Sequence, residues 1–580
     1  MIQYRPFDYF IFRVINAEIF TKLFQIIVLL SLPLLCFGNS DDQKSYYVKP
    51  IDFVYDYPFN DATKWAVTCR VWGLLKYYHP NVTAGKLDWD QVLIERLDKI
   101  READSPEQVN AELMQMIRIA GEYNSSKDVT WHDSLNMNVN LCWLDNSFIY
   151  DSIRQTLREI ASQTVIQPSH YIKLEDGYRT TILNEKEYRG YIYDQYKYRL
   201  LSLFRFWNAV YYFFPYKYLM DQSWDLTLTE FIPHFINVFD QKSYFDAVNK
   251  LATRINDGHA YTSERSQCFS LESTSVTLID SVTIIRLPPE GSLLMRGDII
   301  LSIDGKNIRE IRDSIAALSP SSNKLSTDDH VNSCIYSMFF NKFELTILRN
   351  QQEISVRMDS SRYFSDIRKQ LEDYFANTLP FHAISPDIGY VNLAVLKSSE
   401  ILDIMDSLQQ YRGVIFDLRK YPSHYSFREF NCHLSPTREY CYALAMESDL
   451  SHPGAFYKRE CIINFSDELW KERKKYDGKM VVLINAETAS AAETQAMSFR
   501  IFGATLIGTS TAGANGDVAR FSLPGGITVG FSGLGFYYPD GTQMQRIGII
   551  PDIEVYPTMD DILAGRDEVL EAAIKYLKSN

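Results

Sequence analysis

Met480-Val-Val-Leu-Ile-Asn-Ala-Glu-Thr-Ala-Ser-Ala-Ala-Glu493 is the stretch on which the reading of this 580-residue chain turns. Five apolar residues, Met480 to Ile484, have the length and composition of a buried strand, and a helical pattern begins at about Ala491. Ser490 therefore sits at a strand-to-helix turn. Backbone N–H groups at a helix start have no partner within the helix and lie at the positive end of its dipole, so they favour an oxyanion formed beside a serine there. Ala489, Ala491 and Ala492 leave room for a substrate backbone. The spacing Ser490-Ala-Ala-Glu493 equally fits a capping box, so the local sequence alone suits a structural cap as well as a nucleophile.

Outward from this stretch, Tyr390 to Leu393, Gly413 to Leu418 and Thr505 to Gly508 read as further short strands, with helical stretches around 399–410 and 491–502. The alternation is that of an α/β domain. Upstream, Leu294 to Ile308 reads as a strand pair about Asp304-Gly305, a strong two-residue hairpin signal, and Phe343 to Met358 adds strands to a β-rich module.

Further upstream lies a repeat. A shift of 135 residues aligns Arg70, Trp72, Tyr77, Pro80, Trp89 and Asp90 with Arg205, Trp207, Tyr212, Pro215, Trp224 and Asp225 without a gap. Each copy reads as three helices: an aromatic one ending at a proline, a second opened by Trp89 or Trp224, and a third with apolar residues at helical spacing. The copies end differently, as Ile-Ala-Gly-Glu-Tyr-Asn at 119–124 and Ile-Asn-Asp-Gly-His-Ala-Tyr at 255–261. Only the second carries a histidine, His259.

Composition bounds the function. Hydrophobic residues are 46% and charged residues 23%, ordinary globular usage, and 59 Lys and Arg against 73 Asp and Glu give a net charge of −14. A nucleic-acid partner thus lacks its main electrostatic term. No cofactor motif and no His/Cys spacing of a zinc site is present. At the N-terminus, Arg5, Arg13 and Lys22 precede an apolar run, Leu23 to Gly38, shorter than the ~20 residues of a membrane span and suited to a signal peptide. The expected location is the periplasm or cell envelope; an uncleaved segment would tie the protein to the envelope. Of the eight cysteines, seven follow the apolar run, an odd number that allows at most three bridges; Cys432 with Cys441 and Cys268 with Cys334 are local pairings open to them, but spacing does not fix the connectivity.

The stretch from Met480 to Val555 resembles the tail-specific or C-terminal processing proteases, peptidase family S41. Thr488 to Glu493 matches the nucleophile motif, Phe416-Asp-Leu-Arg419 the upstream strand end, Thr511-Ala-Gly-Ala-Asn-Gly516 the Gly-rich turn, and Gly548-Ile-Ile-Pro-Asp552 the closing motif. The β-rich module resembles PDZ domains through Arg296-Gly297-Asp298 and Ile303-Asp304-Gly305. The resemblance implies a crotonase-like catalytic core that cleaves polypeptides through an acyl-enzyme on Ser490, without a cofactor. With the apolar N-terminal run and the helical repeat read above, the chain is expected to be multidomain: signal peptide 1–38, linker 39–62, helical repeat 1 and connector 63–190, helical repeat 2 191–265, then the PDZ-like module 268–365 and catalytic domain 366–580 that the resemblance implies. In the family's Ser/Lys branch a lysine follows the nucleophile by 25 residues, but here that position is Asn515. The tricorn-like branch takes a histidine from a segment before the PDZ position, which Asn256-Asp-Gly-His-Ala260 resembles, so His259 is the expected general base and His424 the second candidate. Where that branch has a glutamate this chain has Gln545, expected in a supporting role; where the family often has Gly-Gly it has Ser423-His424. The expected oxyanion donors are the backbone N–H groups of Ala491 and Ser423. Asp417 and Arg419 are expected to form a structural ion pair. The other function class open to this sequence is a catalytically silent peptide-binding protein of the envelope.

Overall fold

The tryptophans of the helical region lock successive long helices together in pairs. Trp72 and Trp89, on Asp61–Tyr78 and Trp89–Glu102, each donate the indole N–H to the other's backbone carbonyl at 3.0 Å. One period later Trp207 and Trp224, on Tyr196–Phe213 and Trp224–Ile236, make the same reciprocal pair at 2.9 and 3.0 Å. Third helices follow at Pro106–Ala120 and Gln241–Thr253. The copies are joined crosswise: Arg70 pairs with Asp225 at 2.7 Å, and Arg205 with Asp90. Between the central helices the backbone approach is so close that a Cβ on Gly73 would lie 1.8 Å from Asn208 Oδ1. Both central helices are buried nearly all round, as helices inside a core must be.

These features come from a computed structural model, which describes residues 58–123, 136–176, 178–190, 195–238, 240–263, 276–289, 291–335, 342–359, 369, 372–373, 376–423 and 428–579. The expected signal peptide lies outside them. No helix among the described residues is long and apolar enough to cross a membrane.

The C-terminal region is built on a sheet in the order Phe381–Ser385, Ile388–Asn392, Gly413–Asp417, Lys479–Ile484, Thr505–Gly508 and Ile553–Glu554. The first pair is antiparallel and the rest are parallel. Helices Ile401–Leu408 and Ala491–Ile501 contribute to the core on one face, and Glu568–Ser579 to that on the other. Covering both faces explains why the inner strands are continuous apolar runs. A long hairpin, Glu439–Asp449 with Ala455–Asn464, lies in a second sheet that also contains Gly535–Tyr537.

A third sheet brings the helical and C-terminal regions together. Hairpin Val518–Leu523/Ile527–Ser532 takes strand Tyr261–Thr262 onto its edge, with Val529 opposite Thr262 and Gly530 opposite Tyr261. Phe521, Val529 and Phe531 of that hairpin belong to the same hydrophobic core as Trp207 and Phe206. The β-rich module has strand order Gln352–Asp359, Lys342–Arg349, Ile299–Ile303, Val282–Ile285, Val276–Ile279, with helices Ile308–Ala316 and Lys324–Cys334. Asp304 and Gly305 have φ of 47° and 75°, positive at both positions as a two-residue I′ turn requires.

The local Cys432–Cys441 pairing is not formed, and both thiols are free. Cys432 is buried on helix Arg428–Leu434 with its sulfur toward Leu469 O, whereas Cys441 lies on a strand with its sulfur 3.3 Å from Ala443 O. Cys334 is disulfide-bonded; Cys268 lies outside the described residues.

Candidate active site

Ser490 follows strand Lys479–Ile484 by one tight turn and precedes helix Ala491–Ile501. Its backbone is at φ 54°, ψ −118°, a conformation that costs a non-glycine residue on the order of 1–3 kcal/mol and persists only where neighbours impose it. They do so here. The Ser490 N–H donates to Ala514 O at 2.8 Å and to Glu493 Oε2 at 3.2 Å. Glu493, fully buried, also accepts from Gly513 N at 2.8 Å, Ala514 N at 3.1 Å and the Thr511 hydroxyl, tying the Gly-rich turn to the serine. Burial pushes the Glu493 carboxyl up to about 7, against the four hydrogen bonds that favour its anion.

The N–H of Ala491, the first residue of the helix, donates to no described residue and remains open beside the serine. The Ser423 N–H, by contrast, donates to Leu393 O at 3.2 Å, and its hydroxyl to Leu396 O at 2.6 Å, so this amide is occupied. His424 lies outside the described residues.

The segment carrying His259 packs against the turn beneath Ser490. A Cβ added to Gly258 would meet the Ala514 Cβ at 2.7 Å, and Ala514 O is the acceptor for the Ser490 amide. The β-rich module closes the same corner: Gly258 N donates to Ser322 Oγ at 2.7 Å, and Asn323 Nδ2 donates to both Thr511 O and Ala512 O at 3.0 Å. His259 is half-buried, with Nδ1 3.1 Å from Ser532 Oγ. Burial holds its imidazole below the usual range, opposed by the nearby carboxylates of Asp257 and Asp517 and reinforced by Arg520. Among the described residues no hydrogen bond joins His259 directly to Ser490.

Gln545 is fully buried and reaches not His259 but Asp257, donating from Nε2 to Oδ1 at 3.0 Å. Asp257 also accepts from Ser532 Oγ at 2.9 Å, Ser532 N at 2.7 Å and His259 N at 3.1 Å. Neither Asp257 nor Ser532 stands out as a site residue in the sequence. Asp257 lies within Asn256-Asp-Gly-His259, where an acid two residues from a histidine was a usable signal; Ser532 becomes visible only through the register that sets it opposite His259.

Asn515, at the position that holds a lysine in the Ser/Lys branch, donates from Nδ2 to Thr494 Oγ1 at 3.0 Å and accepts from Gly516 N at 2.8 Å. Asp417 and Arg419 form a structural ion cluster with Asp567 and Tyr390; burial opposes the Asp417 charge, but Arg419 holds its carboxyl below the usual range. Among the described residues no group of three or more His, Cys, Asp or Glu is set to hold a metal ion.

Residues 387–555 match the family model of peptidase family S41. A curated relative, the carboxy-terminal-processing protease of Bartonella bacilliformis, is 23% identical over 208 residues, 33% of this chain and 43% of the relative. The matched region thus spans less than half of that relative's length. Mature CPAF aligns over 66% of this chain and 97% of its own at 14% identity with a TM-score of 0.51, a likeness of fold. The photosystem II D1 C-terminal processing protease aligns over 63% and 96% at 16% identity with a TM-score of 0.37. Over residues 387–555, which include the Thr488-Ala-Ser-Ala-Ala-Glu493 turn, this chain is similar to peptidase family S41.

Proposed function

We propose that the protein is an exported serine peptidase that hydrolyses peptide bonds in polypeptides, with Ser490 as nucleophile and His259 as general base. The observation that carries this reading is the strained turn at Ser490, φ 54°, set beside the open amide of Ala491 and on the turn against which Gly258-His259 packs. Strain of this kind at a half-buried polar residue is retained where it aims a side chain. In the proposed step the Ser490 Oγ attacks the scissile carbonyl carbon while its proton passes to His259 Nε2. The carbonyl electron pair moves onto oxygen, which accepts the Ala491 N–H and gains from the helix dipole. Collapse of this intermediate expels the amine, which takes the proton from His259, and leaves an acyl-Ser490 ester. Water, deprotonated by the same imidazole, then hydrolyses the ester and restores the serine.

The catalytic core is read as crotonase-like and residues 268–365 as a PDZ-like module that presents polypeptide by adding it as a strand to a sheet edge. The contacts of Ser322 with Gly258 and of Asn323 with Thr511 and Ala512 support a role near the site. The occupied Ser423 amide favours a second reading, a peptide-binding protein lacking a complete oxyanion hole. A fluorophosphonate probe separates the two. Labelling of the full chain at Ser490, lost in Ser490→Ala together with cleavage of unfolded casein, is the expected result; absence of both in the wild type supports the binding protein.

A further inference from the structure

Four donors converge on Asp257: Ser532 Oγ, Ser532 N, Gln545 Nε2 and His259 N, at 2.7 to 3.1 Å. A carboxyl group surrounded by donors acts as an acceptor, so the single hydroxyl proton of Ser532 is directed to Asp257. Ser532 Oγ can then only accept from the other side, and His259 Nδ1, 3.1 Å away, must carry the proton it accepts. That leaves Nε2, which bonds to no described residue, with its lone pair open. Asp257, Ser532 and Gln545 are all fully buried, so water does not compete for these bonds.

We infer that Asp257, acting through Ser532, is the positioning carboxylate of His259: it fixes the Nδ1–H tautomer, leaves Nε2 free to take a proton, and supplies the negative charge that stabilises the imidazolium. Gln545 in turn holds Asp257. The chain thus places its orienting acid two residues before the base, on the same loop, with a serine hydroxyl between the two. The register of strand Tyr261–Thr262 on Ile527–Ser532 is what sets that hydroxyl opposite the imidazole. This inference rests on His259 being the base, yet part of its test does not.

Histidine-selective ¹⁵N labelling of the full chain reads the tautomer directly, His259 being assigned by the signal lost in His259→Gln. The Nδ1–H form is expected in the wild type, and a switch or mixture in Ser532→Ala. An Nε2–H signal in the wild type overturns the inference, whatever the activity. The rate of fluorophosphonate labelling at Ser490 against pH is the second readout. Asp257→Asn should lower it by about 10³-fold or more and Ser532→Ala by roughly 10–100-fold, by analogy with loss of an orienting triad acid. Asp257, Asp517 and Arg520 are the charged groups acting on His259. Removing the Asp257 charge should therefore move the acid limb to lower pH, whereas a merely structural loss would lower the plateau and leave the limb in place. Asp517→Asn, run alongside, should move the limb without changing the tautomer. Wild-type rates and an unmoved limb in both Asp257→Asn and Ser532→Ala overturn the inference. If His259→Ala labels as fast as the wild type, the base assignment itself fails, a separate result. Should Asp257→Asn not fold, the wild-type tautomer and Ser532→Ala still decide.

Discussion

Ser490→Ala should abolish probe labelling and casein cleavage while changing stability by no more than about 1 kcal/mol, the scale of an N-terminal cap, as read by urea denaturation. With His259 as base, activity requires the neutral imidazole, so kcat/KM rises as pH passes upward through its pKa. Burial lowers that pKa, and the limb should lie below the ordinary histidine midpoint of about 6.5; a limb well above it would point to another base. Glu493 titrates at about 7 in the fold against 4.5 for the ordinary side chain. Between those values the folded state keeps a proton that the unfolded chain has released, so its contribution is fully present below the lower pKa. It is lost as pH rises through the window, by up to roughly 3 kcal/mol. The difference in unfolding free energy between wild type and Glu493→Gln, measured from pH 4.5 to 7, should show this slope; a flat difference would mean that the four hydrogen bonds keep Glu493 ionised throughout.

Among the elements, the proposed catalytic corner is a meeting of three short turns: Asn256–Ala260, Thr511–Gly516 and the Ser322-Asn323 start of helix Lys324–Cys334. Gly258 is the residue that allows the first two to touch. Because the added Cβ would meet another Cβ rather than the end of a flexible side chain, Gly258→Ala must push the histidine-bearing turn away from the serine. Probe labelling should fall at least tenfold, as catalysis is sensitive to displacements of about 1 Å, with an unfolding midpoint close to the wild type. Retained labelling would show that the turns need not touch. The strand-to-helix placement of Ser490 is legible from the apolar run before it and the small residues after it. The occupied Ser423 amide was not, because its acceptor, Leu393, lies 30 residues earlier in the chain.

Across the whole molecule, the crosswise ion pairs make the two helical copies one body. Arg205 is fully buried with Asp90 and also lies 2.8 Å from Glu185, while the Arg70–Asp225 pair is more accessible. Removing one partner of a buried pair strands the other charge, so Arg205→Met should cost about 3–5 kcal/mol. Arg70→Met should cost less, since Asp225 has water within reach. Equal losses by urea denaturation would mean that the copies are energetically equivalent. The helical core continues into Phe521 and Phe531, so severe loss in Arg205→Met should also disturb the hairpin that carries Ser532 and lower probe labelling.

Local features are legible in the chain itself: the parallel strands as apolar runs, the Asp304-Gly305 turn, the 135-residue period with its tryptophans, and the serine at its turn. Each depends on neighbours in the chain, through hydrophobic periodicity, the φ preferences of turn residues and the geometry of a helix start. The partners are set only when distant segments pack together. Nothing local in the chain distinguishes Ser532 from other serines, or directs Gln545 to Asp257 rather than to His259. Those choices follow from strand Tyr261–Thr262 joining a hairpin more than 250 residues later, and from buried polar groups taking whichever donors the packed chain delivers.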